Sequence, residues 1–339
     1  MEKEKFSGRS LFRDILSGGS KGTPPEEKSD QVVTIGLDLG SDQIKTKHLF
    51  FPAGLVRHGT AEPDSDVHLG FKNQFYSLAM THDSIEKDRT QSDRYYILGL
   101  FAIVRELRYR YPKQRNFNIN LAVGGLPTSM NHNYNLALKD YFTQNNPIEV
   151  FYAGDFYQIH IENFYIFPTG LAAIAASDND IRLKRRFIIL DVGGGTTDYL
   201  VYKDQQLDRQ SCFSVNEGTI AINEEIIMSV SLQYGYDIDE ADINEVLRGE
   251  ETLLPDECKQ LIFNTYRNKA IGMINRLRDY NLDPRTWLFF LTGGGARYVK
   301  SYFTQDNGIN ALYVDDHLQA NVIGMELLAQ TEYMRNTGK

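Results

Sequence analysis

RFIILDVGGGTTDYLVYKD, residues 186–204, decides the reading of this chain. An apolar run ends in an aspartate, three consecutive glycines and two threonines follow, and a second apolar run returns. The pattern is strand, turn, strand, with Asp191, Gly193, Gly194, Gly195, Thr196 and Thr197 at the tip. Consecutive glycines permit close backbone approach, so their N–H groups can converge on an oxyanion while the threonine hydroxyls add donors.

Working outward, VVTIGLDLGSDQIKTKHLF at residues 32–50 has the same plan. Asp38 ends a buried strand, Gly40, Ser41 and Asp42 form the turn, and Lys45 follows on the return strand. Two hairpins with acidic, glycine-rich tips imply a duplicated α/β architecture with a cleft between the copies. A third tip, Gly293-Gly294-Gly295, follows the apolar stretch TWLFFLT. Facing tips would clamp a polyphosphate from both sides. Asp38 and Asp191 suit a hydrated Mg²⁺, which keeps several waters and takes few protein carboxylates. Lys45 can neutralise a phosphate. No GxxxxGK[ST] occurs, so this is not a Walker A loop.

The 339 residues carry 36 Lys+Arg against 45 Asp+Glu, a formal charge of −9. An acidic balance argues against direct nucleic-acid binding, which draws its affinity from Lys and Arg on phosphates. The two cysteines, Cys212 and Cys258, exclude a disulfide scaffold or a Cys-rich metal centre and read as buried or inert. His58, His68 and His82 lack ligand spacing and read as surface residues. No apolar stretch is long enough to span a membrane, and Met1–Phe6 has no apolar signal region, so a cytoplasmic protein without membrane association is expected.

Residues 1–30 read as a flexible tail, in which Phe6, Leu11, Phe12, Ile15 and Leu16 could share one face of a short helix. One lobe is expected over 31–165, with a polar insertion of few clear elements at about 52–94. A C-terminal helix at about 318–335 completes it, and 166–317 form the second lobe. RYYILG, from Arg94, reads as a strand before a helical stretch. Ile148–Phe167 reads as β-rich with a turn at Ala153-Gly154-Asp155, and Pro168 is expected to open a short helix. Helices are expected near 218–234, 239–248 and 255–279.

The order and spacing of these elements resemble the actin superfamily of ATPases, over residues 32 to about 332. Asp38 to Lys45 has the spacing of its phosphate-1 loop and Asp191 to Asp198 that of phosphate-2. LTGGGARYV is similar to the adenosine motif, and QANVIGMELL to the closing connect-2 helix. Within the superfamily, NLAVGGLP, IENFYIFPTGLAAI, VNEGTIAINEEI and YDIDEADINEVLRG look most like the ParM-like bacterial and archaeal actins of plasmid segregation.

The resemblance implies a two-lobed, ribonuclease H-like fold with ATP in the cleft. Asp38 and Asp191 would hold Mg²⁺ through water, the phosphate-loop residues would bind phosphates, and Gly293, Gly294 and Gly295 would lie against the adenosine. Glu224 or Glu225 falls where a ribose contact is often found. One position departs from the family. Where Glu or Gln usually orients the attacking water beside a proline, the turn reads Phe167-Pro168-Thr169-Gly170. Thr169 would hold the water more weakly than a carboxylate, with Glu162 as a substitute.

The implied function is an ATP-hydrolysing polymer of identical subunits that moves plasmid DNA through a DNA-binding adaptor protein. The alternatives are a non-polymerising ATPase switch, of chaperone or cell-division type, and a small-molecule kinase. For a kinase, no motif supplies the acceptor-activating Asp. ATP over GTP rests on the resemblance alone.

Overall fold

The computed structural model describes residues 32–338 except 65–66, 87, 126–131, 178–184, 205 and 315–318, so the expected tail lies outside the described residues. The apolar runs form two sheets. The first contains β1 (Val32–Leu39), β2 (Gln43–Lys45), β3 (Phe50–Pro52), β4 (Leu55–Gly59), β5 (Leu69–Phe71), β6 (Gln74–Leu78), β7 (Asn116–Gly125), β8 (Ile148–Tyr152) and β9 (Asp155–Pro168). Their spatial order is β3-β2-β1-β7-β9-β8-β5-β6-β4. The second contains β10 (Arg186–Val192), β11 (Thr197–Lys203), β12 (Gln206–Leu207), β13 (Phe213–Val215), β14 (Leu288–Thr292) and β15 (Asn310–Tyr313). Its order is β12-β11-β10-β14-β15, with β13 also pairing β11.

The duplication is visible in the pairing. In each sheet a leading strand pairs antiparallel with the next in sequence and parallel with a later one: β1 with β2 and β7, β10 with β11 and β14. Equivalent registers set Asp38 opposite Lys45, and Asp191 opposite Asp198. The two tips therefore share a backbone plan but face their aspartates with opposite charge.

Helices α1 (Arg94–Arg110), α2 (His132–Thr143) and α3 (Leu171–Ala175) belong to the first half of the chain. Helices α4 (Thr219–Tyr234), α5 (Glu240–Arg248), α6 (Asp256–Asp279), α7 (Ala296–Val299) and α8 (Ala320–Thr337) follow. Local chemistry fixes their ends. Asp239 and Asp242 form a reciprocal capping box at the start of α5. In α6, Asp256 and Glu257 sit at the first turn and Arg276 and Arg278 at the last, matching the helix dipole. Among the described residues no helix is long and apolar enough to cross a membrane.

Four expectations are corrected here. RYYILG is the start of α1 and not a strand: Arg94 to Val104 is buried without a break, so the helix has no polar face to betray its period. Residues 52–94 are not irregular, because β4, β5 and β6 extend the first sheet beyond β8. Pro168 closes β9, and α3 begins at Leu171 after Gly170, whose φ is 75°. His68 is not at the surface; it is buried against Phe75 and Phe151, its Nε2 3.3 Å from Glu62.

The halves are tied by an exchange of helices. α3 follows the first sheet, yet Ala173 and Ile174 pack on Ile189, Leu200 and Phe290 of the second. α8 follows the second sheet, yet Val322, Met325 and Ala329 pack on Ala122 of β7 and Phe167 of β9. The two helices cross where Gly324 meets the Ala172 carbonyl, leaving no room for a Cβ. α8 also finishes β1, whose N-terminal half has no strand on one side. There Glu326 accepts from Gly36 N–H at 3.1 Å, and Arg110 donates to Thr34 C=O at 3.0 Å while pairing with Glu326. A sheet edge that would otherwise bury unpaired amides is thus closed by side chains.

Gly324→Ala pushes a methyl into a backbone carbonyl, so urea unfolding should show a loss of about 2–3 kcal/mol. A variant as stable as the wild type would mean that the two helices do not cross this closely.

Candidate functional site

The exchange of helices brings the tips of the two hairpins together. A Cβ on Gly194 would sit 2.5 Å from Asp42 Cβ, and one on Gly195 would sit 2.8 Å from Ser41 Oγ. Side chains at either glycine would wedge the lobes apart. The loop is held from behind: Thr219 and Ile220, at the start of α4, donate their N–H groups to the Gly193 and Gly194 carbonyls, each at 3.0 Å. Gly293 has φ +86°, and a side chain there would run into Asp191. The third glycine tip is therefore tied to the second by close packing, which Gly295 N–H reinforces with a 2.8 Å bond to Val192 C=O.

A cavity of about 190 Å³ opens between the lobes. Gly40, Ser41, Asp42 and Lys45 line it from the first lobe; Gly193, Gly194, Gly195 and Thr196 line it from the second. Asp38, Thr169, Asp191, Gly293, Gly294 and Gly295 complete this part of the wall. Four residues expected here lie elsewhere. Thr197 is buried in the sheet and donates its hydroxyl to Glu217 C=O at 2.7 Å, because alternation turns it away from the cleft. Glu224 is exposed on the outer side of α4, as is Glu225, which pairs with Lys269 at 2.6 Å. Glu162 is exposed and falls at the bulge where β9 slips register against β7, so it cannot substitute for the missing carboxylate.

Residues not named from sequence fill the gaps. Asn321, at the start of α8, accepts from Gly170 N–H at 2.7 Å and donates to Asp191 at 3.4 Å. Thr169 is hydrogen-bonded to the same carboxylate. Toward the third tip the wall is made by Asn223, Glu240, Asn244, Arg297 and Tyr298. Tyr266 donates to Asn223 at 2.8 Å and Tyr298 to Asn244 at 2.6 Å, fixing both amides. One signal was available: Asn223 precedes Glu224 and occupies the inward position of α4.

The electrostatics are unbalanced. Burial and the negative charge of Asp38 push Asp191 up to about 6, against the pull of Asn321, Lys45 and Thr169. Lys45 lies 4.0 Å from Asp38. Burial and the charge of Asp191 push Asp198 up to about 7, although Thr196 and Ser214 donate to it. The site holds more negative charge than its own cations neutralise. Two facing carboxylates with hard oxygen donors fit one hydrated Mg²⁺. Among the described residues no group of three or more His, Cys, Asp or Glu is placed to form a metal cage.

The fold has counterparts in known proteins. The family model described as the C-terminal part of archaeal MreB-like actin homologues matches residues 189–305. Apo ParM of pSK41 superposes with TM-score 0.68 at 16% identity, covering 90% of this chain and 98% of that one. Ta0583, an archaeal actin homologue, gives 0.69 at 16%, covering 89% and 100%. ParM from a 15-stranded Clostridium botulinum filament gives 0.68 at 17%, covering 89% and 99%. No curated protein matches the chain by sequence. The chain has the actin-like two-lobed α/β fold and resembles the ParM-like actins.

Because the folded state holds a proton on Asp198 that the unfolded chain releases, stability of the ligand-free protein should fall as pH rises from 3.8 to about 7. Asp198→Asn should remove part of that slope and stabilise the protein by roughly 2–4 kcal/mol at about pH 8, with little change near pH 4. Urea midpoints across that range would check it.

Proposed function

We propose that this chain is an ATP-binding and ATP-hydrolysing actin-like protein that polymerises into dynamic filaments, serving plasmid DNA segregation through an adaptor. The observation that carries the reading is the meeting of two glycine tips at van der Waals distance, each backed by a strand-ending aspartate, in one inter-lobe cleft. Such a site suits a polyphosphate better than any neutral ligand. Gly40, Ser41, Asp42 and Lys45 would bind phosphates from one side and Gly193, Gly194, Gly195 and Thr196 from the other. Asp38 and Asp191 would hold Mg²⁺ through water; when bound, the ion would neutralise charge on the phosphate oxygens. Gly293, Gly294 and Gly295 would lie against the adenosine, with Tyr298 and Arg297 beside them. Glu240, which lines the cavity where Glu224 does not, would face the sugar.

The family relation supports the nucleotide: Ta0583 was solved with ADP and Bacillus thuringiensis ParM with ATP. Thr169 orients the attacking water weakly, because its hydroxyl is already engaged by Asp191. Phosphoryl transfer relies on positioning and electrostatics more than on a strong base, so slow hydrolysis remains compatible with this wall.

Losing the terminal phosphate removes what the tips share and lets the lobes relax about α3 and α8. Closed lobes that expose complementary, head-to-tail surfaces assemble into an open filament when the contact does not close into a ring. Alp12, AlfA and Clostridium botulinum ParM, structures of this fold, were determined as filaments. The charge of −9 suits a polymer that leaves DNA contact to an adaptor.

High-speed pelleting with Mg-ATP, Mg-ADP and no nucleotide tests the reading. The wild type should sediment with Mg-ATP; Asp191→Ala should stay in the supernatant and hydrolyse ATP about 100-fold more slowly. A wild type that hydrolyses ATP yet stays soluble would favour a switch ATPase. Phosphate transfer to a sugar would reveal a kinase.

A further inference from the structure

One element of the cleft is unexplained by the glycine tips. Between β6 and α1, the described residues 79–86 and 88–93 lie at the mouth of the cleft. Along the way His82 Nε2 comes within 3.7 Å of Glu240 on α5 of the second lobe. The Ile85 side chain lies 3.5 Å from where a Cβ on Gly195 would stand. Arg89 lines the cavity.

This strap is braced. Asp83 accepts from Leu55 N–H at 3.0 Å, and Ser92 donates to Glu86 at 2.8 Å. Asp88 accepts from Thr90 N–H at 3.0 Å, from the Thr90 hydroxyl at 2.7 Å and from Gln91 at 2.8 Å. Asp93 is held by both terminal nitrogens of Arg57. Every carboxylate among the described residues of the strap is thus satisfied within the first lobe. Arg89 is different: it makes no ion pair with any described residue. Its guanidinium carbon stands 5.6 Å from the centre of the Tyr95 ring, and its charge is felt by Asp198 across the cleft.

A hydrogen-bonded loop that carries a guanidinium into this cavity without an ion pair to any described residue needs a reason. Of the other cations lining the cavity, Lys45 stands 4.0 Å from Asp38 and would serve both that carboxylate and the phosphates, and Arg297 lies over the Tyr298 ring at 4.5 Å, on the adenosine side. Arg89 is the cation of this lining that the strap brings in, and no described carboxylate forms an ion pair with it. A guanidinium presents a planar fork of donors that matches two phosphate oxygens at once.

Resting on the ATP reading above, we propose that Arg89 is a catalytic residue that contacts the terminal phosphate of ATP from the strap. In the reaction, water adds to the terminal phosphorus and the bond to the bridging oxygen breaks, its electron pair leaving with ADP. One water proton stays on the phosphate, the other goes to solvent, and Arg89 keeps its own proton throughout. Its part is to hold the equatorial oxygens and the charge that builds on them, which is the stabilisation Thr169 cannot give. Because the contact is to the terminal phosphate, it exists with ATP and is lost with ADP.

Calorimetric titration of the full chain with Mg-AMPPNP and with Mg-ADP, together with single-turnover hydrolysis, tests this in the wild type, Arg89→Ala and Arg89→Lys. Arg89→Ala should weaken AMPPNP about 10-fold, change ADP less than about twofold, and slow hydrolysis about 10²–10³-fold. Arg89→Lys should keep part of the AMPPNP affinity and recover little of the rate, since an ammonium lacks the fork. Equal loss for both nucleotides, or wild-type hydrolysis in Arg89→Ala, overturns the proposal. A wild type that binds neither nucleotide overturns the ATP reading itself and this proposal with it, an outcome distinct from a wild type that binds both while Arg89→Ala behaves identically.

Discussion

The repulsion between Asp38 and the buried Asp191 across the cleft is the constraint around which the rest of the molecule is arranged. Each aspartate ends the leading strand of its own sheet, where it cannot swing away. Burial raises the cost of holding both charges, and Asp191 responds with a carboxyl pushed up to about 6. The surroundings moderate this without cancelling it. Asn321 and Thr169 hold Asp191 by hydrogen bonds, and Lys45 stands beside Asp38. What remains is a site short of positive charge, a natural host for a cation that arrives with an anionic ligand.

Keeping two sheets in this confrontation needs a hinge that is strong and narrow. α3 and α8 supply it by each crossing to the opposite lobe and touching at Gly324. Asn321 ties the hinge to the chemistry, because the same side chain accepts from Gly170 N–H and donates to Asp191. Three residues further along the helix, Gly324 faces α3. Two positions after that, Glu326 closes the open edge of β1 with Arg110, which also holds Glu106 at 2.5 Å. One helix therefore sets the lobe crossing, the edge of the first sheet and the carboxylate at the cleft. The strap between β6 and α1 adds a further inter-lobe contact near the cleft mouth, between His82 and Glu240.

Local patterns were a sound guide wherever the backbone alone dictates the conformation. The glycine tips, the strand-ending aspartates, the Ala153-Gly154 turn and the helices after residue 218 read correctly, since turns, caps and apolar runs act over a few neighbouring residues. Patterns failed where burial erased periodicity, as in α1, and where short strands joined a sheet through distant partners, as in β4, β5 and β6. They failed also for side-chain direction. Thr197, Glu162 and Glu224 have suitable chemistry at suitable spacing, but strand alternation, a bulge and the helical turn send them away from the cavity.

By itself, then, the sequence determined that two acidic, glycine-rich hairpins exist, because the conformation of each follows from residues within a few positions of the tip. Only the tertiary structure decided that Asn223, Glu240, Asn321 and Arg89 share their cavity. Those four come from four separate elements, and only Asn223, beside Glu224 on α4, had a local signal. Their meeting is fixed by how two helices cross and how a strap spans the lobes, which are long-range packing relations that spacing along the chain does not encode.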